Sequence, residues 1–221
     1  MKLGELNAWS HVIDRVGILG GSFDPPHKAH VALARSALSQ LLLDVLHVVP
    51  TGAAWHKARM LSLAKDRVAM ARLAFLESSP VERSSDKIVV DEREILRSGP
   101  SFTIDTVKEI EQLYPGATIY LIIGQDQAQA FSSWREHALL VQKTQVVIAA
   151  RDAGLQATSP AGLSPQKPAV LGDAIYLNCP LMPISATEVR ASIDQGLDVS
   201  QLVPELVLHY IQQQGLYSNN S

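Results

Sequence analysis

Val16-Gly17-Ile18-Leu19-Gly20-Gly21-Ser22-Phe23-Asp24-Pro25-Pro26-His27-Lys28-Ala29-His30 is the stretch on which the reading of this chain turns. Its first four residues are short, apolar and partly β-branched, which predicts a strand over 16–19 that stops at the glycine pair. After the prolines, apolar residues recur at helical spacing over 31–43, and 45–49 reads as a second strand closed by Pro50. Strand, loop and helix followed by a strand make a βαβ unit. The loop therefore lies at the carboxyl edge of the sheet, where open α/β folds bind ligands.

The same alternation continues outward. Residues 66–76 and 103–113 read as helices and 88–90, 119–123 and 146–150 as strands, with a last short strand at 175–177. Helical segments at about 186–194 and 204–213 follow, the second with a proline near its start. Together these predict an α/β fold: a Rossmann-like, doubly wound, mostly parallel sheet of five to six strands with a small C-terminal helical cap. One domain spanning 1–221 is expected, with a core over 16–150 and a C-terminal strand and helices over 173–217. The Gly-, Ala-, Ser- and Pro-rich stretch 151–172 is expected to be a loop or flexible insertion.

Composition narrows the partners. With 47% hydrophobic and 19% charged residues in 221, the chain has ordinary globular content. No apolar run reaches the ~20 residues that span a bilayer, and residues 1–15 lack the pattern of a signal peptide, so a cytoplasmic protein without a membrane partner is expected. A net charge of −3 and a pI near 6.1 supply no global field for nucleic acid, so an anionic substrate must be held by local groups. The single cysteine, Cys179, can form no intrachain disulfide and reads as a small, buried or half-buried residue.

Those local groups begin in the first loop. Gly20 and Gly21 let backbone approach a phosphate, and a helix start offers N–H groups and a favourable dipole to an anion. His27 and His30 stand three apart and can face one site. A tight turn with a capping histidine is the plainer reading, and zinc ligation is a third, but no Cys or His partner at suitable spacing follows. The run resembles the HxGH signature of the nucleotidyltransferases, together with that family's G-x-F-D-P turn. Ala29 stands where glycine is usual.

Four further segments are similar to those of one subfamily, the bacterial nicotinate-mononucleotide adenylyltransferases. Ala54-Trp55-His56-Lys57 matches P-P-H-[KR] in its last two residues, and Pro100-Ser101-Phe102-Thr103-Ile104-Asp105-Thr106 matches P-S-[YF]-T-x-x-T. Gly124-Gln125-Asp126 matches G-x-D, with Ser132-Ser133-Trp134-Arg135 shortly after it, and Ile184-Ser185-Ala186-Thr187-Glu188-Val189-Arg190 matches I-S-[AS]-T-x-[IV]-R. Each has a structural alternative: Ser101, Thr103, Asp126 or Ser185 as a helix cap, Trp134 as a core residue, Lys57 and Arg190 as solvated surface charges. The resemblance runs from about residue 16 to 217.

The resemblance implies a transferase that joins the AMP part of ATP to nicotinate mononucleotide and releases pyrophosphate. It implies catalytic roles for His27, His30, Lys57 and Arg190. ATP would meet Gly20, Gly21, Ser22, Phe23, His27, His30, Gly124, Asp126, Ile184, Ser185, Thr187 and Arg190. The mononucleotide would meet Ser22, Lys57, Ser101, Thr103, Thr106 and Trp134. The resemblance also implies direct, in-line attack, which the chemistry allows because a phosphate monoester with a second pKa of about 6 is already mostly dianionic. Mg²⁺ is expected to arrive with ATP on phosphate and water ligands, so no residue is assigned to metal. The helix start near Ser101 and the loop of Trp134 would favour the acid, since neither offers an obvious acceptor for an amide. Sister enzymes acting on nicotinamide mononucleotide or phosphopantetheine, and a catalytically silent nucleotide sensor, are the alternatives. Whether the chain is a monomer or a homo-oligomer is left open by the sequence.

Overall fold

In the computed structural model, which describes residues 12–52, 61–77, 85–149, 171–180 and 182–218, six strands form one sheet. They are β1 (Arg15–Gly21), β2 (Val45–Pro50), β3 (Ile88–Val90), β4 (Thr118–Gly124), β5 (Gln145–Ala149) and β6 (Ile175–Leu177). The order is β3-β2-β1-β4-β5-β6 and every pairing is parallel. Helices are α1 (Lys28–Gln40), α2 (Ala64–Arg72), α3 (Arg93–Leu96), α4 (Thr103–Leu113), α5 (Gln125–Gln129), α6 (His137–Lys143), α7 (Ala186–Asp194) and α8 (Glu205–Gln214).

Parallel strands covered on both faces must be apolar at nearly every position, and alternation sends successive residues to opposite layers. In β4, Ile119, Leu121 and Ile123 pack with Ile104, Val107 and Ile110 of α4 and with Phe131 and Leu140. Tyr120 and Ile122 pack on the other side with Ala34, Ala37 and Leu38 of α1, Met70 and Ala71 of α2, and Val207 and Ile211 of α8. The sheet is therefore doubly wound. Strand order reverses between β1 and β4, which opens a crevice at their carboxyl ends.

Several boundaries differ from the expected ones. β1 continues through Gly20 and Gly21, which pair with Val49 and Pro50, because ladder hydrogen bonding needs no side chain. α1 starts at Lys28, three residues early, with His27 in extended conformation as its N-cap, and it is over by Leu42, whose φ of +50° no helix accommodates. α2 passes into a π-helical turn, Leu73–Glu77. α3, α5 and α6 are too short to show a period and were not expected. Residue 150 and the stretch 151–170 lie outside the described residues. Cys179 is half-buried, as expected.

A polar chain is built into one edge. His47 of β2 is 3% exposed, with Nδ1 2.7 Å from Asp91 Oδ2 and Nε2 3.1 Å from the Tyr114 hydroxyl. Arg93 donates to Asp91 at 2.6 Å and 2.8 Å and to Glu109 at 3.3 Å. Burial alone would raise the Asp91 carboxyl, but hydrogen bonds from His47 and Arg93 outweigh it and hold the group well below the usual carboxylate range. A depressed folded pKa contributes stability above the unfolded value near 3.9, and that contribution fades as pH falls through the folded value. Asp91→Asn is therefore expected to cost roughly 1.5–3 kcal/mol between pH 5 and 7. Urea unfolding at a series of pH values checks this: the gap to wild type should shrink below about pH 4, and a gap constant down to pH 2.5 would refute it.

Candidate active site

The crevice between β1 and β4 holds a cavity of about 430 Å³. Its walls bring together eight residues singled out in the sequence: Gly20, Gly21 and Ser22 from the end of β1, Ser101, Thr103 and Thr106 from the start of α4, Asp126 from α5, and Trp134. A Cβ at Gly20 would meet nothing within 4 Å, so the space above that backbone is open to a ligand.

The histidines stand beside this cavity rather than in its walls. Past Ser22 the chain turns through Phe23, which has φ +47° and is 1% exposed, its ring edge-on to His30 at 5.2 Å and to Phe75 at 5.5 Å. The Phe23 ring is core, and the residue shapes the turn of the loop. The imidazoles of His27 and His30 stack with centroids 3.7 Å apart, and the His27 backbone N–H donates to His30 Nδ1 at 3.2 Å. An accepting Nδ1 places the proton of a neutral His30 ring on Nε2, which makes that atom a donor.

Distant parts of the chain hold this loop. Arg67, 3% exposed, donates to the Ser22 carbonyl at 3.0 Å and to the Ser62 carbonyl at 3.1 Å. Asp24, fully buried, accepts from the Tyr217 hydroxyl at 2.6 Å and from the Ser62 N–H at 3.3 Å. Burial and the bond to Asp24 push the Tyr217 phenol far up, so it stays a donor. Arg190 donates to the Asp24 carbonyl at 2.6 Å and to Thr187 Oγ1 at 3.1 Å, which delivers α7 to the loop. Ser185 caps α7: its Oγ accepts from the Glu188 N–H at 3.2 Å, and its own N–H and hydroxyl donate to the Glu188 carboxylate. Ile184 precedes that cap and Gly124 caps α5, its N–H donating to Gln127 at 3.0 Å. Lys57 lies outside the described residues.

Sequence reasoning missed Glu94. It is 8% exposed, lines the cavity, and accepts from the Thr106 hydroxyl at 2.8 Å and from the Gly52 N–H. Burial raises this carboxyl, and those hydrogen bonds with the nearby Arg97 charge oppose the rise. Ser101 donates to the Glu94 carbonyl at 3.1 Å. Ser101 and Thr106 thus commit their hydroxyl hydrogens to Glu94. The wall also contains a carboxylate from α3, outside the helix start and the Trp134 loop on which the sequence reading of the pocket rested. Gly52 is required at this junction, since a Cβ there would come within 2.0 Å of the Glu94 carbonyl and 2.7 Å of Ser101 Oγ.

Fold and site thus define a nucleotide-binding α/β protein with two adjoining compartments, a cavity and a basic loop. Residues 18–192 match the family described as Cytidylyltransferase-like. A relative from Albidiferax ferrireducens is 43% identical over 92% of this chain and 98% of its own, and one from Methylibium petroleiphilum 37% identical over 92% of each; both carry the name "Probable nicotinate-nucleotide adenylyltransferase". Among solved structures, the Plasmodium falciparum nicotinic acid mononucleotide adenylyltransferase complexed with NaAD shares the fold, with a TM-score of 0.73 and 23% identity over 92% of this chain and 97% of that one. This chain belongs to the Cytidylyltransferase-like family and, within it, to the nicotinate-nucleotide adenylyltransferases.

Proposed function

We propose that this chain transfers the adenylyl group of ATP to nicotinate mononucleotide, giving nicotinate adenine dinucleotide and pyrophosphate, as a single unit working in the cytoplasm. The observation that carries the reading is the junction of the two compartments at Gly20–Ser22. A flat ring in the cavity against Trp134 leaves its phosphate directed at the histidine loop, where the triphosphate of ATP would lie.

An oxygen of the mononucleotide phosphate forms a bond to the α-phosphorus as the bond from that phosphorus to the pyrophosphate bridging oxygen breaks. No enzyme nucleophile is needed, so the protein supplies position and positive electrostatic potential. His30 Nε2–H, His27, Arg190 and Lys57 stabilise charge on the phosphates. Asp126, exposed in the first turn of α5 just past β4, accepts from ribose hydroxyls. Nucleotidyl transfer in this family goes with a divalent cation, and Mg²⁺ fits best here. Among the described residues no group of three His, Cys, Asp or Glu converges as a cage, and both Asp24 oxygens already accept hydrogen bonds, so phosphate and water oxygens are the fitting ligands. When bound, the ion neutralises charge on the triphosphate.

A coupled assay of pyrophosphate release, with ATP and a panel of mononucleotides, tests the reading. kcat/KM for nicotinate mononucleotide is expected to exceed that for its amide by about 10- to 100-fold, the equivalent of one or two charged hydrogen bonds. Equal values, or a preference for the amide, would overturn the acid assignment.

A further inference from the structure

The cavity wall carries an unequal set of charges. Glu94 and Asp126 are acidic, and Arg135 is the one basic side chain lining the cavity among the described residues. Glu94 is turned to the protein's own donors, Thr106 and Gly52. With the Thr106 and Ser101 hydroxyl hydrogens spent on Glu94, an entering carboxylate meets fewer donors on this wall. A counter-charge would strengthen its hold, and Arg135 is placed to supply it.

Its position is set by two contacts. The guanidinium carbon lies 4.5 Å from the centre of the Phe102 ring, and Phe102 is the N-cap of α4, so the cation is parked over the helix start that carries Ser101 and Thr103. It also follows Trp134 directly, which puts the stacking face and the cation on the same wall. The nearest carboxylate on its other side, Glu136, is 3.9 Å away and also holds Lys108 at 3.2 Å, so it compensates Arg135 weakly. A guanidinium over an aromatic ring keeps N–H groups in its own plane, and these can pair with a carboxylate.

The geometry points to Arg135 as the specificity-determining residue that selects a mononucleotide bearing a ring carboxylate over one bearing a carboxamide. This rests on the function proposed above. It gives the acid preference a definite physical source: a cation held over Phe102, acting against the acidic Glu94 and Asp126, which by themselves would favour an amide.

The test is kcat/KM for both mononucleotides at saturating ATP, in wild type, Arg135→Gln and Arg135→Lys. Thermal melts confirm folding, and Trp134 fluorescence measures direct binding of nicotinate mononucleotide. Arg135→Gln is expected to lower the acid's kcat/KM about tenfold more than the amide's, the scale of one partly solvated charged hydrogen bond. The loss should fall on KM and on the fluorescence titration, with KM for ATP unmoved. Arg135→Lys should recover part of it, since charge is kept while the planar fork over Phe102 is lost. If wild type prefers the acid and Arg135→Gln keeps the whole preference, Arg135 is not the selector and the proposed function stands. If wild type uses neither mononucleotide, or both equally, the acid reading falls and Arg135 falls with it.

Discussion

His30→Ala is expected to lower kcat by about 10²–10³ while leaving the protein folded, the usual effect of deleting one preorganised donor to a developing negative charge. The ring is fixed from two sides, by the edge of Phe23 at 5.2 Å and by the face of His27 at 3.7 Å, and its Nδ1 is engaged by the His27 N–H. Nε2 is thus presented with little freedom, and a donor that needs no reorganisation is worth most in the transition state. Because the loop keeps its anchors at Ser22 and Asp24 when the His30 ring and its bond to the His27 N–H are removed, its course should stay intact. KM for both substrates should therefore move far less than kcat. Steady-state kinetics with a circular dichroism melt decide the matter: near-normal turnover in a well-folded variant would exclude this role for His30.

Turnover is expected to vanish in excess chelator and to return when Mg²⁺ is added. The expected mode of loss is specific. Since the ion would come on phosphate and water oxygens, chelator should abolish pyrophosphate release yet leave the melting temperature of the nucleotide-free protein unchanged. A chelator-induced fall in melting temperature would reveal an ion held by the chain itself, and zinc in the purified protein would return His27 and His30 to consideration as ligands. Full activity in chelator would contradict the mechanism outright.

What the sequence made legible follows physical range. The strand cores over 16–19, 45–49 and 119–123 and the helix 103–113 declare themselves because periodicity and turn residues act locally. Gly20–Ser22, Ser101, Thr103 and Asp126 were readable because each stands at a strand end or a helix start, Trp134 through the family resemblance, and all of them line one cavity. Glu94 was not readable. It sits on the four-residue α3 amid Arg93 and Arg97, a pattern that reads as solvated charge, and only packing of α3 against Gly52 and Thr106 buries it. Arg67 shows the same blindness, since a lone arginine in a helix gives no sign that its guanidinium will reach back to Ser22. Thr106 was found for a ligand role, but its hydroxyl belongs to Glu94. Long-range polar pairing leaves no period.

The bond from Tyr217 to Asp24 joins residues 193 positions apart. At about 5–20 residues per second, a ribosome needs roughly 10–40 s to travel from one to the other. The loop with both histidines is thus made well before the phenol that bonds to its buried carboxylate. A nascent chain can lay down β1, α1 and β2 and cover them, yet Asp24 lacks this hydrogen bond until translation has passed residue 217. The loop that carries both histidines thus gains its full set of anchors only when the segment after α8 has docked on it.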